Sequence, residues 1–505
     1  MSSTPEQAFE NLTQEFREIA TLGTCESILG WDEVTYMPPG GAEHRANQKA
    51  LLAGLVHHRA TSSKIGDWLS AVESSPMVND GDPVAANVRE LRRTYDKMVK
   101  VPESLVTELT RATSLAHQVW VEARKNNDFK KFLPHLTKII DLCRQKAEAV
   151  GYQEEPYDAL MDDYEPNTTS KQVEAVFTSL RKDLVPVLER IAGGPNKSPV
   201  EIIERDYPIE QQKTFGMEAA RAIGYKFDIG RLDITTHPFC TTIGPGDIRI
   251  TTRYNVNHFN DAFFGTLHES GHGIYEQNLR TDQFGMPIGE ACSLGIHESQ
   301  SRMWENFVGR SRAFWDFFYP AAQKAFPETL SGVSADDFHF AVNDVRPSYI
   351  RVEADEVTYN LHIMLRFEME LALIRGELAA EDVPAAWNEK FKSYFGIDVP
   401  DDTQGCLQDV HWSAGLFGYF PTYALGNLYA AQFFAQAETD LGDLHGQFSR
   451  GEFDALRTWL NEKIHVHGRR YPAPELAQMV TGKPLSAEPL ITYLKAKFYP
   501  LYGVK

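Results

Sequence analysis

Apolar residues recur three and four positions apart along most of this chain, which is the spacing of helices that bury one face. The pattern is clear in residues 4–32, 170–192 and 359–378, and Thr4 and Pro5 form a predicted helix start, with Thr4 as N-cap. Segments rich in Pro and Gly, such as "MPPGG", separate the helical runs. No long linker or solenoid repeat interrupts this pattern, so we expect a single, mainly α-helical domain over residues 1–505.

Residues 232–255, "LDITTHPFCTTIGPGDIRITTRYN", depart from the helical period. Thr and Ile are frequent there, and "GPGD" is a turn signal with β-like sequence on both sides. The segment predicts a small antiparallel β-sheet, placed directly before the next helical run.

The net charge and the spacing of the cysteines indicate which partners the protein can bind and in which cellular compartment it works. The net charge of the 505 residues is −20, which opposes binding to the phosphates of nucleic acids. The five cysteines are widely spaced and form no CxxC motif, which favours reduced thiols in a cytoplasmic protein. No stretch approaches the roughly 20 apolar residues of a membrane span, and no secretory signal is visible at the N-terminus.

The stretch "GTLHESGHGIYEQ" contains an HExxH motif formed by His268, Glu269 and His272. Helical residues four apart lie on the same face, so two imidazoles at this spacing can bind one ion. Glu269 is rotated about 100° from His268, which suits a carboxylate that takes a proton from water activated at a metal. The alternative is a pair of buried histidines with ordinary hydrogen-bond partners and a solvated Glu269.

A catalytic zinc site requires a third protein ligand and an open position. Glu276 lies eight residues after His268, a rise of about 12 Å, which is too far along one straight helix. A carboxylate from a second helix is better placed, and "HESQ" supplies Glu298 after a Gly/Pro-containing break. We favour Glu298 over Glu290, which lies nearer that break.

Several motifs in a fixed order resemble one family, the carboxypeptidase Taq family of metallocarboxypeptidases (peptidase family M32). Besides HExxH, they are "DIRIT" (247–251), "HESQ" (297–300), "IRVEAD" (350–355) and "GCLQDVHW" (405–412). The resemblance runs from about Trp31 to the C-terminal helices. HExxH alone occurs in many enzymes, whereas this ordered set is specific.

The resemblance implies that His268, His272 and Glu298 bind one divalent ion per subunit, Zn²⁺ or alternatively Co²⁺, with Glu269 as general base. It implies a large, two-lobed helical body with a deep groove, and a homodimer. The implied activity is release of single residues from the free C-terminus of peptides, with broad preference and poor cleavage next to proline.

Two further residues acquire roles from the same resemblance. Tyr423 is a candidate donor to the oxyanion, although its local sequence alone favours a packed aromatic residue. Arg351 is the candidate for binding the substrate carboxylate, because a guanidinium can donate two parallel hydrogen bonds to it. Its local alternative is a helical salt bridge with Asp355, four residues later.

Other candidate substrate-binding residues are less strongly indicated. Gln408 and His411, in "GCLQDVHW", are predicted to line the groove near the cleaved bond, and the alternative is a polar loop anchored by Trp412. Arg249 either binds substrate or pairs with Asp247. His237 is a further groove candidate, although a histidine before proline is usually structural.

Two rival functions remain at this stage. An oligoendopeptidase would use the same ion and ligands without needing an anchor for a terminal carboxylate. An inactive helical scaffold would keep the ion for structure alone, but it would have no use for Glu269, a carboxylate beside the ligands that need not bind metal.

Overall fold

The computed structural model describes residues 4–79 and 83–505, and helices dominate it, as predicted. The first half contains these helices: Pro5–Thr35 (α1), Ala42–Ala60 (α2), Ser63–Glu73 (α3), Pro83–Lys100 (α4), Glu103–Asn126 (α5), Phe129–Val150 (α6), Pro156–Met161 (α7), Ser170–Ala192 (α8) and Ile209–Ile223 (α9). The second half contains these: Phe259–Asn278 (α10), Leu294–Arg302 (α11), Arg312–Ala325 (α12), Ala335–Val342 (α13), Tyr359–Arg375 (α14), Val383–Phe395 (α15), Pro421–Leu441 (α16), Leu444–Phe448 (α17), Asp454–Lys463 (α18), Ala473–Thr481 (α19) and Glu488–Tyr502 (α20).

The helices bury their apolar faces in two hydrophobic clusters. The larger cluster extends from α5 to the C-terminal helix α20. The smaller one is formed by α1, α3 and α4 around Leu12, Leu69 and Leu91. The predicted start of α1 is confirmed, since the Thr4 side chain accepts a hydrogen bond from the backbone N–H of Gln7 at 3.3 Å.

A three-stranded sheet lies directly before α10, in the segment that the Thr- and Ile-rich pattern indicated. Its strands are Gly230–Ile234 (β1), Cys240–Gly244 (β2) and Asp247–Thr252 (β3), in the spatial order β1-β3-β2. The predicted hairpin is present as the antiparallel pair β2–β3, and Gly246 in its turn has a φ of +83°. The expectation of a wholly antiparallel sheet is wrong, because β3 lies between the other strands and runs parallel to β1.

Two glycines allow the helices around the site to approach closely. A Cβ atom on Gly271 of α10 would lie 2.6 Å from the carbonyl oxygen of Gln300 in α11. A Cβ atom on Gly426 of α16 would lie 2.5 Å from Cγ of Glu298. Both glycines are therefore required by packing, and they bring α10 and α16 against the helix that carries Glu298.

Within residues 4–79 and 83–505, no helix is both long and apolar enough to cross a bilayer. The five cysteines, Cys25, Cys143, Cys240, Cys292 and Cys406, are free thiols.

Candidate metal centre and substrate pocket

The side chains of His268, His272 and Glu298 meet between α10 and α11. Their ligand atoms all lie within 4.8 Å of one another. Oε2 of Glu298 is 3.6 Å from Nε2 of His268 and 3.4 Å from Nε2 of His272. Both imidazoles thus direct the same ring nitrogen towards one carboxylate oxygen, which is the arrangement expected around a shared ion.

A carboxylate behind His268 fixes the orientation of its ring. Nδ1 of His268 donates a hydrogen bond to Oε2 of Glu305 at 2.9 Å. Glu305 lies in a π-helical segment, Met303–Gly309, that continues α11, and such segments are frequent at functional sites. Because Nδ1 carries the proton, Nε2 is free to bind a cation.

A chain of hydrogen bonds behind His272 fixes the orientation of the second imidazole ring. Nδ1 of His272 lies 2.5 Å from Nδ1 of His297, whose Nε2 lies 2.9 Å from Oε1 of Glu276. Thr242 on β2 donates to the other oxygen of Glu276 at 2.7 Å. With Glu276 as final acceptor, each histidine donates to the next group, and Nε2 of His272 keeps its lone pair.

The charges around Glu298 keep it ionised. Burial opposes its ionisation, but the nearby Arg302 guanidinium and the two histidines hold its pKa well below its usual range. Arg302 donates from Nε to Oε1 of Glu298 at 2.6 Å and leaves Oε2 facing the histidines. Burial, together with the neighbouring His297, lowers the pKa of His272 to about 3, so that imidazole is neutral at neutral pH. The Nε2 atoms of the two imidazoles and one ionised carboxylate are donors that fit a divalent ion such as Zn²⁺.

Glu269 lies beside this cluster of three side chains and is 6% exposed. Burial, reinforced by the charge on Glu298, raises its pKa to about 7. A carboxyl group with a pKa near neutrality is suited to both accepting and donating a proton. The alternative of a solvated Glu269 is therefore wrong.

Arg351 is held in a buried polar cluster by side chains from two other parts of the chain. Its Nε and Nη2 donate to Oδ1 of Asp409 at 3.0 and 2.9 Å. Its Nη1 donates to the Tyr359 hydroxyl at 3.0 Å, and its backbone N–H donates to Oε1 of Gln408 at 2.8 Å. The local alternative, a salt bridge with Asp355, is wrong, because Arg351 lies outside the helices in a short 3-10 turn and pairs with Asp409.

Tyr359 connects this cluster to the metal centre. Its hydroxyl accepts the hydrogen bond from Arg351, and its ring lies 4.4 Å from the guanidinium carbon of Arg302. Arg302 in turn pairs with Glu298. Arg351 is thus separated from Glu298 by the ring of Tyr359 and the side chain of Arg302.

His411 and Tyr423 lie against Arg351. The guanidinium carbon of Arg351 is 5.0 Å from the centre of the Tyr423 ring, and the Tyr423 hydroxyl is 3.4 Å from Nε2 of His411. Burial lowers the pKa of His411 to about 4, so the ring is neutral near pH 7. Tyr423 is packed against its neighbours, as its local sequence predicted. It also has the polar neighbours that a hydrogen-bond donor to the oxyanion would need.

The two remaining candidates lie on the sheet. Arg249 on β3 pairs with Asp247 at 2.7 Å, as its local alternative predicted, and its guanidinium carbon lies 4.2 Å from the centre of the Trp31 ring. His237 lies exposed on the connection between β1 and β2. In the described part of the chain, neither side chain forms a hydrogen bond with His268, His272 or Glu298.

Several side chains that support the site lie outside the sequence motifs. Arg302 had a sequence signal, since it follows Glu298 by four residues on the same helix. Glu305, Tyr359 and Arg366 had none, because their contacts with the site depend on how separate elements pack.

Two imidazoles one helical turn apart, a carboxylate from the next helix and a buried glutamate beside them define a metal-dependent hydrolase site of the HExxH class. The sequence profile of the family described as "Carboxypeptidase Taq (M32) metallopeptidase" matches residues 11–498. The chain belongs to this family and is a metal-dependent carboxypeptidase.

Named relatives agree over the whole chain. "Thermostable carboxypeptidase 1" of Thermus thermophilus is 49% identical over 99% of this chain and 100% of its own length. "Carboxypeptidase 1" of Bacillus subtilis is 39% identical, over 96% of this chain and 97% of its own. The M32 carboxypeptidase from Deinococcus radiodurans, whose crystal structure is known, is 40% identical in sequence to this chain. The two structures superpose with a TM-score of 0.95, and the match covers 99% of this chain and 100% of that one.

Proposed function

We propose that this enzyme releases single residues from the free C-terminus of peptides, with broad preference and poor cleavage next to proline. The observation that carries the proposal is the buried guanidinium of Arg351, oriented by Asp409 and Tyr359 beside the metal centre. Three of its five N–H groups are used within the described residues, which leaves two for a terminal carboxylate.

His268, His272 and Glu298 are the proposed ligands of one divalent ion, Zn²⁺ or alternatively Co²⁺. When bound, such an ion polarises the scissile carbonyl group and makes water a better nucleophile at neutral pH. The hydrogen bonds from His268 to Glu305 and from His272 to His297 hold both imidazoles in the tautomer that a cation requires.

Glu269 is the proposed general base. It accepts a proton from the attacking water and delivers it to the leaving amine, and its pKa of about 7 suits both steps. Tyr423, beside His411, is the proposed donor to the oxyanion that forms at the cleaved carbonyl group.

The other candidate residues have supporting roles in this proposal. Gln408 holds the Arg351 segment in place, because its Oε1 accepts from the backbone of Arg351 and its Nε2 donates to the carbonyl oxygen of Tyr349 at 3.0 Å. Arg249 and His237, on the sheet, are proposed to contact the peptide farther from its C-terminus.

One peptide in two forms separates this proposal from an oligoendopeptidase. The peptide is offered with a free C-terminal carboxylate and as its C-terminal amide, and the products are identified by mass spectrometry. We expect stepwise loss of single residues from the acid and loss of most activity on the amide. Equal cleavage of both forms, or internal cuts, would instead support an endopeptidase.

Metal analysis before and after treatment with a chelator tests the proposed ion. We expect one equivalent of a divalent metal per chain in the active protein and no cleavage after its removal. Activity restored by Zn²⁺ or Co²⁺ would support the proposed ligands. A metal-containing protein without any peptidase activity would favour the inactive scaffold.

We also propose that the enzyme is a cytoplasmic homodimer. Free thiols at all five cysteines suit a reducing compartment. Two outward-facing leucines of α2, Leu51 and Leu55, are 66% and 45% exposed, which suits a contact between copies. Sedimentation should give twice the 57.0 kDa mass of one chain, and replacing both leucines by glutamate should give the monomer mass if they lie in that contact.

A further inference from the structure

A second arginine, Arg366, lies beneath Arg351 and is completely buried, with 0% exposure. Its Nε donates to Oδ2 of Asp409 at 2.6 Å, while Arg351 occupies Oδ1 of the same carboxylate. One aspartate therefore serves two guanidinium groups, one on each oxygen.

Among the residues that the structure describes, no charged group other than Asp409 is in direct contact with Arg366. Its Nη1 donates to the carbonyl oxygen of His362 at 2.8 Å, and its guanidinium carbon lies 4.6 Å from the centre of the Trp387 ring. Its Nη2 is buried without a hydrogen-bond partner in the described part of the chain. Burying an arginine with an unpaired donor costs free energy, and a functional role would account for keeping it there.

The charges nearby do not cancel this cation. Burial lowers the pKa of both His411 and His362, so both rings are neutral. Glu370, one turn along α14, is directed to other groups and accepts hydrogen bonds from Tyr157 and Trp412 at 2.7 and 2.9 Å. Burial raises the pKa of Glu370 to about 7, which reduces its charge at neutral pH.

We infer that Arg366 is a specificity-determining residue that gives the Arg351–Asp409–Arg366 cluster one excess positive charge, reserved for the carboxylate of the substrate. This inference rests on the proposed function. Without Arg366, Asp409 would neutralise Arg351, and the pocket would offer hydrogen bonds but no net attraction for an anion. With Arg366 present, Asp409 can orient Arg351 while the cluster keeps a net positive charge. That charge attracts a negative group of the substrate.

Two substitutions at one position separate charge from packing. Arg366→Gln keeps hydrogen-bonding groups and removes the charge, whereas Arg366→Lys keeps the charge and loses the planar fork. We expect Arg366→Gln to raise KM for a peptide with a free C-terminus roughly 10- to 100-fold, the range of one lost charge interaction, with kcat little changed. Arg366→Lys should stay much closer to the parent enzyme.

Arg375→Met is the matched control, because Arg375 lies on the same helix and pairs with Glu155, away from the cluster. We expect it to leave KM for the peptide acid unchanged. Metal content and melting temperature are measured for every variant. If Arg366→Gln does not fold, Arg366→Met removes the same charge with an apolar chain of similar length.

A double variant makes the test sharper. Adding Asp409→Asn to the neutral Arg366 variant restores one excess positive charge, now on Arg351 alone. We expect KM for the peptide acid to fall again relative to the single variant, although Arg351 has lost its ionic partner. The inference is overturned if the neutral variant keeps the parent KM, if Lys and Gln are equally harmful, or if the double variant shows no recovery.

Failure of the proposed function looks different. In that case the parent enzyme itself would cleave acid and amide equally well. If the parent enzyme and Arg366→Gln both prefer the peptide acid over the amide to the same degree, only the role of Arg366 is rejected.

Discussion

At the residue scale, the burial of Glu269 decides what its carboxyl group can do. With Gln at this position the side chain keeps its size but cannot accept a proton. We expect Glu269→Gln to reduce kcat roughly 10²- to 10⁴-fold, the usual contribution of general acid–base catalysis. Metal content should stay at the parent level, because Glu269 is not among the three proposed ligands. Substantial remaining turnover would contradict its assignment as the base.

Glu165 is a second buried carboxyl group, and it has a structural role. It is fully buried and accepts a hydrogen bond from the backbone N–H of Gly295, at the start of the helix that carries Glu298. Burial raises its pKa to about 8 from the usual value of 4.5. The folded chain therefore retains a proton that the unfolded chain releases, and this group's contribution to stability is lost as pH rises from about 4.5 to 8.

Glu165→Gln tests that dependence, because the amide stays neutral and still accepts from Gly295. We expect the variant to gain stability relative to the parent as pH rises from 5 to 8, by one to a few kcal/mol, roughly. The measurement is the melting temperature of both metal-free proteins at the two pH values. Parallel changes in parent and variant would mean that the pKa of Glu165 is close to its ordinary value.

Sequence could predict the residues whose roles follow from spacing along one helix. His268 and His272 share a face because they are one turn apart, and Glu269 follows from the same motif. The partner of Arg351 could not be predicted, because Asp409 lies 58 positions away and only the packing of separate segments brings it there. Spacing alone favoured Asp355, and the structure contradicts that pairing.

At the element scale, the site depends on how closely α10 and α11 approach each other. Gly271→Ala would place a methyl group 2.6 Å from backbone atoms of Gln300 and Ser301, which cannot rotate away. We expect the helices to separate, with a loss of about 1–3 kcal/mol in stability and weaker metal binding. Metal affinity by competition with a chelator, together with the melting temperature, measures both effects.

Gly265→Ala is the control on the same helix. Its added Cβ would have Thr252 Oγ1 as nearest neighbour at 3.7 Å, an ordinary contact. Alanine favours helix more than glycine does, so this variant should be neutral or slightly more stable. Equal effects of the two substitutions would show that helix spacing at Gly271 does not control metal binding.

Elements were predictable where a local pattern determines them. The helical period located the main helices, and the "GPGD" turn located the β2–β3 hairpin. The order of the three strands was not predictable, since alternating residues do not say which strand lies in the centre. The parallel pairing of β1 with β3 is therefore known only from the structure.

At the scale of the whole molecule, the ion proposed to bind His268, His272 and Glu298 would join two helices that are separate along the chain. A ligand that binds only the folded state stabilises it in proportion to the logarithm of its concentration over Kd. We expect removal of the metal to lower the melting temperature by several degrees, roughly, and Zn²⁺ to restore it. Glu269→Gln, which keeps the ligands, should respond in the same way. An unchanged melting temperature would contradict ion binding between α10 and α11.

The hydrogen bonds from Thr242 through Glu276 and His297 would make strand β2 a remote contributor to the affinity of the proposed metal site, although none of the proposed ligands lies on β2. A redesign of that strand that disturbs Thr242 would leave the side chain of Glu276 less firmly held. The ring of His297 would then be less firmly held as well, and the tautomer of His272 would no longer be fixed. Substitutions on the sheet that are meant to change substrate preference would therefore alter metal retention first. Such substitutions would be tolerated only if the hydrogen bonds that connect Thr242 to His272 remain intact.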